Sequence, residues 1–164
     1  MNRGHKEELL GSIIGALRKR GCRQIRTRFV IEESLTFFLK RGFKIRETVF
    51  NYEKTDFATS AIGNESLFIR PFRPNDMKAL LELERECFEP FWHTTPDEFI
   101  RWTRMPESSF FMGILDVVIV AYNFNVIVSK IGHYARIAVH PDHRRRGIGT
   151  RMTINAIEWF EKRG

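Results

Sequence analysis

At 164 residues the chain has the length of one domain and is long enough to bury a substantial core. Hydrophobic residues make up 43% and aromatics 13%, with 15 phenylalanines, which excludes a disordered or fibrous polymer. With 27 Lys and Arg against 20 Asp and Glu, the net charge is +7, a balance suited to an acidic or phosphorylated ligand. No apolar run approaches the roughly 18 residues of a membrane span, so no membrane partner is expected. Glu7 and Glu8 stand where a secretory signal would carry its apolar core. Cys22 and Cys87 have no CxxC spacing and make no disulfide framework, so reduced thiols and a cytoplasmic setting are expected.

Over residues 1–21, Leu9, Leu10, Ile13, Ile14 and Leu17 recur at the helical period, and Arg18-Lys19-Arg20-Gly21 supplies a basic last turn and a stop. Gln24 to Val30 alternates as a half-buried strand. A short helix follows over Glu32 to Arg41, burying Leu35, Phe38 and Leu39, and then Phe43 to Tyr52 reads as a strand. Residues 55–65 are small, polar and aperiodic, and read as a linker between segments 1–54 and 66–164. Leu67 to Arg70 is a strand stopped by Pro71 and Pro74, and Asn75 or Asp76 caps a helix that runs to Phe88. Thr95-Pro96-Asp97-Glu98 opens another helix, with Pro at its first position and an acid at its third. Ser109 to Leu115, Val117 to Val128 and His133 to Val139 predict an antiparallel meander. A last helix follows over Thr150 to Arg163.

Between the meander and the last helix lies His140-Pro141-Asp142-His143-Arg144-Arg145-Arg146-Gly147-Ile148-Gly149-Thr150. Gly147 and Gly149 let backbone N–H groups turn toward one point. The helix N-terminus adds its dipole and three arginines add charge, so a diphosphate fits. A Rossmann fingerprint would need a third glycine where Met152 stands, and no Gly-Lys-Ser/Thr follows for a P-loop. By itself the loop also fits a basic surface turn with a glycine bend.

The context of Ile137-Ala138-Val139-His140-Pro141, then Arg144-x-x-Gly147-x-Gly149, then an amphipathic helix resembles the acetyl-CoA motif of the GCN5-related N-acetyltransferases (GNAT). The order of strand, two helices and meander from Leu67 to Gly164 is similar to that family's N-terminal half. The resemblance implies an α/β fold, with a mixed, mostly antiparallel central sheet flanked by helices. It implies acetyl-CoA as co-substrate and an amine, on a small molecule or a protein, as acceptor. Arg144, Arg145, Arg146, Gly147, Ile148, Gly149 and Thr150 would hold the diphosphate. The backbone of Ile137, Ala138 and Val139 would lie along the pantetheine arm and polarise the thioester carbonyl.

Residues 1–54 resemble the same family's C-terminal half, with Phe38-Leu39-Lys40-Arg41-Gly42-Phe43 similar to its FYxKxGF segment. Aligned without gaps, Met1–Gly21 matches Arg144–Gly164. Arg3 falls on Arg146, Gly4 on Gly147, Ile14 on Ile157 and Lys19-Arg20-Gly21 on Lys162-Arg163-Gly164, while Leu9 corresponds to Met152 and Leu17 to Phe160. Joining Gly164 to Cys22 would restore the family's usual order. The expectation is therefore a permuted or segment-swapped acetyltransferase, completed within a chain or by exchange in a homodimer. Of the two loop copies, the later one is expected to bind the cofactor, because Arg3-Gly4-His5-Lys6 lacks the second glycine and a preceding strand.

Acetyl transfer needs a free amine, donors for the oxyanion and an acid for the leaving thiolate. Phe38 stands where the family often places a tyrosine, so the acid falls to Tyr134, to Tyr52 or to water. His133 is the candidate base on the strand before the loop. Glu84, Glu86, Glu89 and His93 lie where the resemblance places the acceptor border, and are expected mostly on solvated helix faces. Trp92 and Trp102 read as core or acceptor-wall aromatics. His140, Asp142 and His143 sit in a short turn without a fourth ligand, so no metal is expected. A non-catalytic CoA-binding domain is one alternative. A nucleic-acid-binding face built on the basic run Arg18 to Arg28 is another, set back by the lack of a recognition-helix or aromatic RNA-binding signature.

Overall fold

The computed structural model describes residues 3–27 and 30–163 and, for Arg3, the backbone alone. The chain divides into two units, Met1–Tyr52 and Glu53–Gly164, which are treated separately below. Among the described residues no helix is long and apolar enough to cross a membrane.

The first unit contains two helices, α1 (Arg3–Lys19) and α2 (Glu32–Leu39). Gly21, at φ 77°, ends the turn after α1, where the Cys22 N–H donates to Leu17 O. That is the glycine stop the sequence predicts. Arg41 pairs with Glu7 and lays its guanidinium 3.8 Å from the centre of the Phe37 ring. Phe38 packs edge-on against Phe37 and Phe43. Neither of the two strands expected in this unit appears among its described residues. Gln24 to Thr27 and Val30 are irregular, Arg28 and Phe29 lie outside the described residues, and Phe43 to Tyr52 has no ladder partner. A strand owes its stability to its neighbours, and an alternating pattern alone does not supply one.

The second unit is built on a four-stranded antiparallel sheet in the order β1 (Phe68–Pro71), β2 (Ser108–Leu115), β3 (Val118–Val128), β4 (Ile131–Val139). Both turns of the β2–β3–β4 meander place two consecutive non-glycine residues at positive φ, Asp116 with Val117 and Ser129 with Lys130. That is the primed-turn geometry whose twist matches paired strands. Ile131 and Gly132, expected in the second turn, already pair in β4. Pro71 is tolerated in β1 because that strand is an edge.

Helices α3 (Met77–Cys87) and α4 (Pro96–Thr103) cover one face of the sheet, packing Leu80, Leu83 and Phe99 on Phe110, Tyr122 and Phe124. Trp102 stacks on Phe124 at 4.7 Å and so belongs to the core. Thr95 and Glu98 form the expected capping box of α4. Asp76, expected as the cap of α3, makes no cap bond there. Its carboxylate instead takes a bidentate pair with Arg70, at 2.6 and 2.7 Å, and the Arg73 N–H at 2.7 Å. The Arg70 hydrogen bonds hold this carboxyl below the usual carboxylate range, against the opposing effect of burial. On the other face lies α5 (Ile148–Glu161), whose Ile148 and Met152 pack on Leu67, Val120 and Ala121.

Candidate functional site

Three features lie along the second half of β4 and just beyond it. The first is the strand's open edge. In an antiparallel ladder the N–H and C=O of one residue point to the same side, and paired and unpaired positions alternate. His140 N–H donates to Val120 O, so the register places Ala138 among the paired residues and leaves Val139 and Ile137 facing away from β3. The outward Val139 carbonyl accepts from Cys87 Sγ at 3.3 Å and from Arg144 Nε at 3.1 Å. Burial pushes the Cys87 thiol up, opposed by its hydrogen bond to Arg144.

The second feature is the loop. After the short Pro141–His143 turn, Arg145 and Gly147 adopt left-handed backbone conformations, φ 61° and 74°. Alternating left-handed residues curl successive N–H groups toward a common centre. Gly147 is the N-cap of α5 and makes no side-chain cap, so the first-turn amides of Ile148, Gly149 and Thr150 keep the helix's positive end available. Arg144, Arg145 and Arg146 are all exposed, and Arg146 meets His143 Nδ1 at 3.2 Å. A methyl group built on Gly149 would meet only Val139 Cγ2, at 3.8 Å. Protein packing alone therefore leaves room for a side chain at this position.

The third feature is a buried polar cluster that the sequence reading missed. Glu84, expected on a solvated helix face, is 1% exposed. Its carboxylate accepts from the Tyr122 hydroxyl, the Arg136 guanidinium and the Thr94 N–H. Arg136 also donates to Trp92 O at 2.7 Å and to Tyr122 Oη at 2.9 Å, and lies 3.9 Å from the centre of the Phe88 ring. Burial opposes the Arg136 charge, but Tyr122 and Glu84 hold its pKa above the ordinary value. Burial drives the Tyr122 pKa up. The cluster ties the Pro90–Trp92 turn and the start of α4 to the middle of β4.

A β-bulge makes this cluster possible. Phe124 pairs with Arg136 and Asn125 with Tyr134, which leaves Ala135 unopposed. On a regular strand residues two apart point to the same face. The extra residue sends Arg136 toward α3 and Tyr134 toward α5. The Tyr134 hydroxyl accordingly meets Thr153 Oγ1 at 3.3 Å under α5, and burial pushes its pKa up to about 12.

The structure thus groups Val139, Arg144, Arg145, Arg146, Gly147, Ile148, Gly149 and Thr150 at one turn, with Ile137 and Ala138 leading into it. His133 is exposed near the start of β4, four residues before Ile137 and so about 13 Å upstream at strand spacing. Glu86 and Glu89 are exposed, and His93 Nε2 lies 2.9 Å from Phe88 O, so these side chains do not converge with Glu84. Among the described residues no three His, Cys, Asp or Glu side chains gather as metal ligands would.

A model of the acetyltransferase (GNAT) family matches residues 77–164. The chain is similar to the ribosomal-protein-S18-alanine N-acetyltransferase from Escherichia coli, at 21% identity and TM-score 0.53, over 60% of this chain and 61% of that one. It is similar to the PaiA N-acetyltransferase from Thermoplasma acidophilum, whose structure is in complex with coenzyme A, at 16% identity and TM-score 0.53, over 60% and 74%. A GNAT-like decarboxylase, GphF, in complex with isobutyryl-CoA, matches at 18% identity and TM-score 0.52, over 56% and 58%. At these identities the likeness is one of fold. No curated protein matches the sequence.

Proposed function

The chain belongs to the acetyltransferase (GNAT) family, and from that premise we propose that it transfers an acetyl group from acetyl-CoA to an amine within a ternary complex. The observation that carries this reading is the turn from Val139 to Thr150. It combines two left-handed residues, an uncapped helix start, three exposed arginines and a glycine, Gly149, with open space before it. A diphosphate accepts hydrogen bonds and carries negative charge, so the Gly147 to Thr150 amides and Arg144 to Arg146 suit it on both counts. Gly149 then keeps the backbone close to the ligand. The outward amides of Ile137 and Val139 run from that point along the sheet edge, where a pantetheine arm would lie as an added strand does.

In the proposed reaction the free amine nitrogen attacks the thioester carbonyl carbon. Charge develops on the carbonyl oxygen and is met by a β4 amide. The C–S bond then breaks, CoA leaves as thiolate, and the nitrogen loses its proton. That proton is proposed to reach His133 only by relay through water, because His133 stands about 13 Å before Ile137 along β4. Tyr134 keeps its own proton to about pH 12, and its use as the acid for the thiolate requires its bond to Thr153 to open. Residues 1–54 are read as the counterpart of the family's C-terminal half, supplied within one chain or by exchange in a homodimer. Leu9, Ile13, Val49 and Phe50 are exposed and apolar in the first unit, and β4 is an edge strand of the second.

Calorimetric titration of acetyl-CoA into the full chain tests the reading. Binding near one per chain, with free thiol released when an amine is added, supports it. No heat across the micromolar range sinks it.

A further inference from the structure

Residues 55–65 read in sequence as a linker, but the last of them carry a specific set of bonds. The Asn64 side-chain Nδ2 donates to Arg146 O at 2.9 Å, and its backbone N–H donates to Gly147 O at 3.1 Å. Asn64 Oδ1 accepts the Ser66 N–H at 3.1 Å, so both ends of the amide are engaged with partners of the correct polarity. We propose that the Gly63–Asn64 turn is a positioning element for the anion loop, setting the direction in which its amides point. The inference rests on reading residues 144–150 as the cofactor's phosphate site.

The argument is one of peptide geometry. In a planar trans peptide the C=O and the following N–H point in opposite directions. Holding Arg146 O toward Asn64 therefore turns the Gly147 N–H away from it, and holding Gly147 O toward Asn64 does the same for the Ile148 N–H. Two consecutive donors are thus oriented by one residue, whose side-chain partner Arg146 lies 82 positions further along the chain. The approach is close enough to dictate residue type on both sides. A Cβ on Gly63 would lie 2.6 Å from Arg151 N, and one on Gly147 would lie 3.1 Å from Asn64 N; both glycines have positive φ. The Gly147 carbonyl also accepts the Arg151 N–H at 3.0 Å, so the same oxygen joins the turn to the first turn of α5. Peptide planes with carbonyls pinned in this way need not reorganise when a diphosphate arrives, which is how preorganisation raises affinity.

Asn64 also starts β1 locally, through Ser66, and this simpler role has to be separated from the positioning one. Asn64→Ser keeps a hydroxyl acceptor for the Ser66 N–H but is too short to reach Arg146 O, and Glu65→Ala is an adjacent exposed control. Calorimetry with CoA and melting curves would be run on the full chain and on both variants. The positioning role predicts that Asn64→Ser weakens CoA about five- to tenfold, the scale of one hydrogen bond, with the melting temperature and the kcat at saturating acetyl-CoA unchanged. Glu65→Ala should bind as the parent does. A parent chain that fails to bind CoA removes the cofactor reading and this inference with it. A parent that binds while Asn64→Ser binds equally well overturns the positioning role alone. So does an Asn64→Ser chain whose weaker binding is matched by lost melting temperature.

Discussion

Helices α1 and α5 carry variants of one pattern in different surroundings. Leu9 of α1 aligns with Met152 of α5, yet Leu9 is 55% exposed and Met152 is 0% exposed. Leu17 and Phe160 align as well, and both are half-buried. The difference lies in what each helix rests on. Met152 packs against Leu67 and Ala121 of a formed sheet, whereas the unit of α1 holds no strand among its described residues. An amphipathic stripe states which face a helix offers; its burial requires a surface to receive it.

Four substitutions sharpen or break this contrast. The largest effect is expected at the buried cluster, which has no counterpart among the described residues of the first unit. Arg136→Leu strands the Glu84 carboxylate in the core and should cost about 3–5 kcal/mol in chemical denaturation. A cost within ~0.5 kcal/mol would mean that Glu84 finds other donors. Next comes the aligned pair itself. Met152→Ala should cost about 2–5 kcal/mol, and Leu9→Ala should stay within ~0.5 kcal/mol, as exposed positions do. Equal costs would show that α1 is buried in solution to the same degree as α5. The smallest effect concerns Tyr134. Its folded pKa, about 12, stands above the ordinary value of 10.0. The folded state therefore binds the proton more tightly than the unfolded state, and stability present below pH 10 is lost as pH rises toward 12. Tyr134→Phe should flatten the denaturation midpoint over that window, and an unchanged slope would show that Tyr134 ionises freely in the folded chain.

Legibility in the sequence followed how local each cause is. The capping box at Thr95 and Glu98, the glycine stop at Gly21 and the glycine loop before α5 are all set within a few residues, and each appears as read. The meander was legible because its strands are joined by short turns that make them each other's partners. The expected strands over Gln24 to Val30 and Phe43 to Tyr52 show the same alternation without a partner, and their described residues form no ladder. At the site, Gly147 and Gly149 announced themselves, while Asn64 did not, since its partners lie more than 80 positions away within a stretch of small polar residues. Glu84 looked like one more helix-surface acid. Only the bulge at Ala135, which no local pattern marks, turns Arg136 toward it. The one available signal was an arginine directly before the apolar run Ile137-Ala138-Val139.

The two primed turns have a kinetic consequence. Asp116-Val117 and Ser129-Lys130 close β2 on β3 and β3 on β4 across two residues each, so most of the sheet is made of contacts between near neighbours in the chain. β1 must instead return from Phe68 to Ile114, and closing that longer loop carries the greater entropy cost. The meander is therefore the cheapest part of the sheet to assemble, on the microsecond scale of isolated hairpins, and the β1 edge, with the Asn64 turn that leads into it, is the costliest. The loop at the end of β4 can consequently exist before the residue that orients it has arrived.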